Sequence, residues 1–184
     1  MPRINKWRRL HSTKLFEHPR LSVYEDDIEL PGGLKTKYVH FGDAQDAGMV
    51  IARDADGRFL IQKEYSYPPD EFLLQLPGGG LNKNENPELG AARELGEEAG
   101  YAGELDLLGW FYLNNRRSKS KMYVYLATNL IKIPKAPDPE ESFEDFWFTE
   151  AEIDEMIQTN EIRNYTLLAG WALYKAHPEF YSIS

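Results

Sequence analysis

A cluster of acidic side chains is the first sign of chemistry in this chain of 184 residues. Glu94, Glu97 and Glu98 occur within five consecutive positions. At about 100° per residue, a helix would bring the three carboxylates within an arc of roughly 100°. Like charges at this spacing cost about 0.2–0.5 kcal/mol per pair on an exposed helix, so their retention suggests a use. Hard divalent cations such as Mg²⁺ prefer carboxylate oxygens, and the cluster therefore indicates a metal site.

The neighbouring residues predict the helix that carries these acids, over residues 87–99. Asn86 can cap its N-terminus, Pro87 fits its first turn and Gly100 is typical of the position just after a helix. The glycine-rich loop at residues 77–80 would bring backbone without side chains close to the acids. Its carbonyl oxygens could then bind the metal, and its N–H groups could donate to phosphate oxygens. On the opposite face we expect four buried apolar residues, which are Leu89, Ala92, Leu95 and Ala99.

The same segment resembles the signature of the Nudix hydrolases. Its matching residues, with their spacing, are Gly79-x5-Glu85-x7-Arg93-Glu94-Leu95-x-Glu97-Glu98-x-Gly100. The next position is usually aliphatic in that family and is Tyr101 here. The resemblance implies an α/β fold, namely a Nudix α/β/α sandwich with a mixed sheet. It also implies Mg²⁺-dependent hydrolysis, with Mn²⁺ as a substitute, of a nucleoside diphosphate linked to another moiety.

The resemblance carries roles for individual residues. The implied metal ligands are Glu94, Glu97, Glu98 and the backbone carbonyl of Gly78. Of these, Glu98 and Glu97 are also expected to be catalytic. Glu85 and Arg93 would form an ion pair that holds the loop against the helix. The metal would lower the pKa of a bound water for in-line attack on one phosphorus.

Similarity outside this segment points to the ADP-ribose and nucleotide-sugar diphosphatase branch. The segments that carry it are the Trp7 region, LPGGLKTKYVHF, EYSYPP, LQLPGGGL and NEIRNYTLLA. In that branch the N-terminal strands commonly cross to a second subunit, which implies a homodimer with a shared active site. We therefore predict an N-terminal antiparallel β extension over residues 1–45, which forms the dimer, and a Nudix domain over residues 46–184. The products would be a nucleoside monophosphate and a sugar phosphate.

Two departures from the branch bear on its substrate. Ser66 stands where the family often has Arg, and a polar loop at residues 114–121 replaces a Pro-Gly loop. Because arginine binds phosphate oxygens bidentately, the loop is a candidate for contacting the diphosphate, with a solvated hairpin loop as the alternative. Trp7, Tyr24 and Tyr38 could stack on a nucleobase, with core or interface roles as the alternative. The candidate substrate contacts are Arg116, Arg117, Trp7 and Tyr38.

A general base or water-orienting residue is not part of the motif. In this branch it is usually a glutamate on a loop before the last strand, and residues 137–145 occupy that position. The candidates are Glu140, Glu141 and Glu144, with Glu141 first.

The charge distribution favours a small substrate. The formal net charge is −9, from 30 acidic against 21 basic residues, but half of the acids lie in residues 85–101 and 136–161. A net acidic chain is a poor partner for nucleic acid or for an anionic membrane. A small diphosphate that arrives with a divalent cation is not excluded. We expect a nucleotide-sugar substrate and neither nucleic acid nor membrane as a partner.

The composition predicts a folded cytoplasmic protein. Hydrophobic residues make up 42% and aromatic residues 13%, too many for a disordered chain, and no apolar run could span a bilayer. The absence of cysteine excludes a disulfide scaffold, a thiolate metal site and a thiol nucleophile. We read no secretory signal at the N-terminus.

Turn residues and apolar patterns predict the remaining elements. Pro31-Gly32-Gly33 predicts a hairpin between residues 21–30 and 34–41, and Asp56-Gly57 predicts another between residues 49–52 and 59–62. Helices are predicted near Glu150, from the Thr149–Glu152 capping box, and after Asn164. Further strands are predicted over residues 72–76, 105–113, 122–127 and 146–148.

Three other functions have been found on this fold. Hydrolysis of nucleoside triphosphates or dinucleoside polyphosphates stays open, although the N-terminal β extension argues against it. Isopentenyl-diphosphate isomerisation would be expected to need a cysteine. A non-catalytic, nucleotide-sugar-sensing Nudix domain is disfavoured by the intact acids and by the absence of a DNA-binding segment.

Overall fold

The computed structural model describes residues 5–42, 45–135 and 142–180. The chain divides into two compact units. The first unit comprises residues 1–45 and 112–120, and the second comprises residues 46–111 and 121–184.

The first unit is built on a three-stranded antiparallel sheet. Strands β1 (Arg8–His18), β2 (Leu21–Glu29) and β3 (Lys35–Gly42) pair in chain order. The predicted hairpin across Pro31-Gly32-Gly33 is confirmed as β2 and β3. Sequence patterns did not predict β1, because all of its residues are exposed and it has no buried, alternating face.

The second unit contains a mixed four-stranded sheet. Strand β4 (Ala47–Ala52) runs parallel to β9 (Lys121–Lys132) and antiparallel to the short strand β7 (Gly78–Gly80). Strand β8 (Tyr101–Tyr112) lies on the other side of β9. Every residue of β4 is buried, as expected for a central strand that is covered on both faces. The predicted strands at 105–113 and 122–127 are confirmed as β8 and β9.

A second sheet of this unit pairs β10 (Glu144–Phe148), β5 (Phe59–Ser66) and β6 (Glu71–Gln75), all antiparallel. The predicted pairing of residues 49–52 with 59–62 is wrong. The strands and the turn exist, but β4 and β5 belong to different sheets and are linked by one bridge, Arg53 to Phe59. Strand β9 pairs with β4 along its whole length. On the other edge, β7 pairs with Ala47–Met49 and the Pro77 carbonyl accepts from the Val50 N–H, so most pairing positions of β4 are taken.

Helices cover both faces of the mixed sheet. Helix α1 (Pro87–Glu94) continues as a π-helical turn (Leu95–Ala99) that ends at Gly100, so the predicted helix over 87–99 is confirmed in extent. Helix α2 (Glu150–Gln158) has the predicted capping box, and α3 (Tyr165–Lys175) follows Asn164 as predicted. In the described part of the chain, no helix is both long and apolar enough to cross a membrane.

The two helical layers contact alternate residues of the central strands. Ala91 of α1 packs in a buried cluster with Val50 and Tyr125. On the opposite face, a Cβ at Gly170 of α3 would lie 3.0 Å from Met49 Sδ and 3.6 Å from a methyl of Val124. Because successive strand residues point to opposite faces, this alternation defines a helix–sheet–helix sandwich. The predicted α/β fold class is confirmed.

Candidate functional site

The acidic cluster lies where α1 passes into the π-helical turn. Glu94 ends α1, and Glu97 and Glu98 belong to the turn. Glu94 is 9% exposed and Glu98 is 5% exposed, whereas 46% of the Glu97 side chain is exposed. Two of the three acids are therefore enclosed by protein, and the third is partly exposed.

The buried face of the helix differs from its prediction. Leu89 is 66% exposed and Ala92 is exposed, so both were wrongly expected in the core. Ala91 lies on the buried face instead. It is so close to β4 that a Cβ on Gly48 would lie 3.1 Å from the Ala91 Cβ. This close approach to β4 fixes the rotation of the helix, and the wider π turn then shifts the residues that follow.

The glycines before the helix form strand β7 rather than the predicted loop, and they meet both buried carboxylates. The backbone N–H of Gly78 donates to Glu98 Oε2 at 2.9 Å. A Cβ at Gly79 would lie 2.7 Å from Glu94 Oε1, closer than a side chain can approach. The site therefore requires a strand without side chains at this point.

Arg93 connects the acids of this segment. Its guanidinium donates to Glu85 Oε1 at 3.1 Å, to Glu94 Oε1 at 2.8 Å and to Glu97 Oε2 at 2.9 Å. It also donates to the carbonyl oxygen of Gly80 at 3.2 Å. The hydrogen bonds from Arg93 and from the Asn82 backbone lower the pKa of Glu85 to about 2. In turn, the hydrogen bond with Glu85 is the main cause that raises the pKa of Arg93.

This pKa shift predicts a pH-dependent contribution of Glu85 to stability. The ordinary pKa of about 4.5 falls to about 2 in the native state, so the native protein keeps a charge that the unfolded chain loses on acidification. The contribution is complete above about pH 4.5 and is lost as the pH falls through 2. The Tm difference between wild type and Glu85→Gln, measured with EDTA, should therefore be largest at neutral pH and shrink across this window. A difference that stays constant with pH would contradict the prediction.

The donor chemistry of the cluster fits a hard divalent cation. Glu94 and Glu98 offer carboxylate oxygens beside the Gly78–Gly80 backbone, the ligand types that Mg²⁺ and Mn²⁺ take. In the arrangement seen here, no group of three or more acidic or histidine side chains among the described residues is close enough to hold an ion. Arg93 hydrogen-bonds both Glu94 and Glu97, so release of these contacts would free their oxygens for a cation.

A buried glutamine, which the sequence patterns did not single out, supports the π-helical turn. Gln62 of β5 is fully buried, and its Nε2 donates to Asp145 Oδ1 at 2.9 Å and to the backbone oxygen of Glu98 at 3.4 Å. It thereby connects the turn that carries the acids to strand β10. The available signal was an amide directly after the apolar run Phe59–Ile61, where an unpaired buried polar group would be costly.

The four candidate substrate contacts all lie in the first unit. The rings of Trp7 and Tyr38 meet edge to face, with centroids 5.8 Å apart. The Arg117 guanidinium lies 5.6 Å from the Tyr38 ring centroid and donates to the Val39 carbonyl at 2.8 Å. The Tyr38 hydroxyl donates to the Arg116 carbonyl. These contacts attach Arg116 and Arg117 of the loop to β3.

A cavity of about 420 Å³ adjoins this cluster within the first unit. Its charged lining consists of four basic side chains, with no carboxylate among the described residues that line it. Tyr24 and Tyr38 contribute aromatic surface. The basic residues are Arg9, Arg116, Arg117 and Lys119.

Of the three candidate bases, only Glu144 belongs to the described residues. It begins β10, its side chain is 70% exposed, and its Oε2 lies 4.0 Å from Lys63 Nζ. Glu140 and Glu141 lie outside the described residues.

Comparison with known proteins agrees with the sequence motif. Residues 43–169 match the NUDIX domain family. An ADP-ribose pyrophosphatase of Bacillus subtilis (strain 168) is 32% identical over 121 residues, which are 64% of this chain and 63% of that protein. An ADP-ribose pyrophosphatase of Mycobacterium tuberculosis is 31% identical over 174 residues, 88% of this chain and 77% of that protein. A crystal structure of an ADP compounds hydrolase matches with a TM-score of 0.90 over 100% of both chains, at 18% identity, a likeness in fold alone.

Proposed function

The chain belongs to the Nudix family and is a hydrolase of phosphoric anhydride bonds, and from this premise we propose that it cleaves the diphosphate of ADP-ribose or a related nucleotide sugar. The products would be a nucleoside monophosphate and a sugar phosphate. The names of the two pyrophosphatase relatives support this choice.

The observation that carries the proposal is the pair of enclosed carboxylates, Glu94 and Glu98, against a strand made of glycine. Nudix hydrolases generally use a divalent metal. We propose Mg²⁺, with Mn²⁺ as a substitute, held by Glu94, Glu97, Glu98 and the carbonyl of Gly78. When bound, the metal would offset the charge of the diphosphate and lower the pKa of a water. Arg93 and Glu85 would keep the acidic segment in its conformation.

The basic cavity of the first unit supports an anionic substrate with a planar base. Arg116 and Arg117 would bind phosphate oxygens, and Tyr38 and Trp7 offer rings for a nucleobase.

A general base from Glu140, Glu141 or Glu144 completes the proposal. Single glutamine substitutions test it, and the base is the residue whose loss lowers kcat.

We also propose that the protein is a cytoplasmic homodimer formed through the first unit. Strand β1 is an edge strand with exposed apolar side chains, including Leu15 at 54% and Phe16 at 52%, which favour a covering partner. A molar mass of one chain by light scattering at micromolar concentration would exclude the dimer.

The proposed function is tested with a substrate panel. ADP-ribose, other nucleotide sugars, nucleoside triphosphates and dinucleoside polyphosphates are incubated with Mg²⁺, with Mn²⁺ and with EDTA, and the products are separated by chromatography. We expect ADP-ribose or another nucleotide sugar to give the highest kcat/KM, with no turnover in EDTA. Highest activity on a triphosphate, or full activity in EDTA, would overturn the proposal.

Replacing Arg116 with alanine should affect substrate binding more than the chemical step. A hydrogen bond to a charged group contributes about 1.5–3 kcal/mol, so KM should rise roughly tenfold or more while kcat stays within about threefold. Arg20→Ala is the matched control, because Arg20 is an exposed arginine of the same unit that does not line the cavity. Equal KM values for the two variants would show that Arg116 does not contact the substrate.

A further inference from the structure

A second cavity, of about 630 Å³, lies within the second unit, at the carboxyl end of β4 and beside the point where its parallel pairing with β9 stops. Arg53 and Thr128 line it, and they directly follow Ala52 and Ala127, the last residues that β4 and β9 pair with each other. Strand β9 itself continues to Lys132. The carboxyl ends of parallel strands are where open α/β sheets bind ligands. The volume also falls in the range of about 300–1,000 Å³ that small-molecule sites occupy.

This cavity is separate from the acidic cluster. The first half of β4, Ala47–Met49, pairs with the glycine strand that contacts Glu94 and Glu98, whereas the cavity begins after its last residue. At about 3.3 Å per residue, Gly48 and Arg53 are roughly 16 Å apart along the strand. A ligand in the cavity would not compete for the acidic cluster.

Among the described residues, the charged side chains that line the cavity are ion-paired except for Arg53. Asp54 and Asp56 pair with Arg58, at 2.9 and 3.2 Å, and Glu150 pairs with Lys175. Arg53 is 7% exposed, donates to the Phe180 carbonyl, and has no carboxylate within 4.0 Å among the described residues. Removing a guanidinium from water without a counter-ion is unfavourable, so an anion beside Arg53 would be stabilised.

Aromatic side chains form part of the cavity wall. The rings of Tyr101 and Trp147 meet edge to face with centroids 5.7 Å apart, and Tyr174 also lines the cavity. Such surfaces favour a planar ring. We propose that the cavity is a second ligand site that takes a planar ring bearing an anionic group, with the anion on Arg53 and the ring against Trp147.

The anion could be a phosphate or a carboxylate, and matched pairs of probes distinguish them. Adenosine 5′-monophosphate is compared with adenosine, and 4-hydroxybenzoate with phenol, by calorimetry and tryptophan fluorescence in EDTA. We expect one anionic probe to bind saturably and its uncharged counterpart at least tenfold more weakly. No saturable binding of either anion, or equal binding of the uncharged rings, would overturn the proposal.

Variants locate the bound probe. Arg53→Met should weaken binding tenfold or more, whereas Arg58→Gln, which lines the same cavity but is paired with aspartates, should change it less than threefold. Equal affinity in wild type and Arg53→Met would refute the site. Trp147→Phe provides a test that leaves Arg53 in place. It should remove the fluorescence change but keep calorimetric binding, and a persisting fluorescence change would place the probe elsewhere. Because hydrolysis is not measured, the result is independent of the proposed function.

Discussion

Replacing Glu98 with glutamine is expected to lower kcat by roughly a hundredfold or more and to leave the protein folded. The change removes a charge but keeps the size of the side chain and an oxygen that can accept the 2.9 Å hydrogen bond from the Gly78 N–H. A metal ion contributes several kcal/mol to the stabilisation of a transition state, and each 1.36 kcal/mol corresponds to a tenfold change in rate. Weakened metal binding should therefore appear mainly in kcat and in the Mg²⁺ concentration needed for half-maximal activity.

Glu88→Gln is the control for this substitution. Glu88 lies in the first turn of the same helix and is exposed, and its side chain has no hydrogen bond or ion pair to a described residue. Steady-state kinetics at several Mg²⁺ concentrations, with circular dichroism for folding, compares the two variants. A kcat for Glu98→Gln within threefold of the control would show that Glu98 does not bind the metal.

Features of the fold that depend on neighbouring residues could be predicted from the sequence, whereas those that depend on distant residues could not. The helix over 87–99 was predicted correctly because Asn86 and Gly100 act through their own backbone neighbourhood. The turn at Asp56-Gly57 was also predicted correctly, but the pairing of its flanking strands was not. That pairing depends on β7 and β9, which are distant in sequence and both pair with β4.

In the candidate site too, the local motif was predicted from the sequence, but the contacts between distant elements were not. The motif identified the acidic residues. Their burial, however, depends on the close approach of Gly48 to Ala91. This contact joins two separate elements, and the hydrophobic pattern of neither element predicts it. Gln62 and Arg53 were not singled out for a related reason. Each stands at the end of an apolar run, where polar residues begin, so its type attracts no notice. Its importance appears only from the buried hydrogen bonds of Gln62, and from the absence of a carboxylate near Arg53 among the described residues.

Replacing Gly79 with alanine is expected to reduce activity without unfolding the protein. The new Cβ would lie 2.7 Å from Cδ and Oε1 of Glu94. These atoms are the flexible end of a side chain, so they can move away at little cost to stability. Glu94 would then leave the place where we propose that it binds the metal. Because a displacement of about 1 Å can lower activity roughly a hundredfold, we expect a loss of that order in kcat.

Gly78→Ala separates this effect from backbone damage at the neighbouring position. A Cβ at Gly78 would lie 2.4 Å from the carbonyl oxygen of Gly48 and 2.7 Å from the Met49 Cα, which cannot move without disturbing the pairing of β7 with β4. We therefore expect a clear fall in Tm for Gly78→Ala and a nearly unchanged Tm for Gly79→Ala. If Gly79→Ala kept wild-type kcat, the position of Glu94 would be irrelevant to hydrolysis. If both variants lost Tm equally, the glycines would serve only the pairing of the strands.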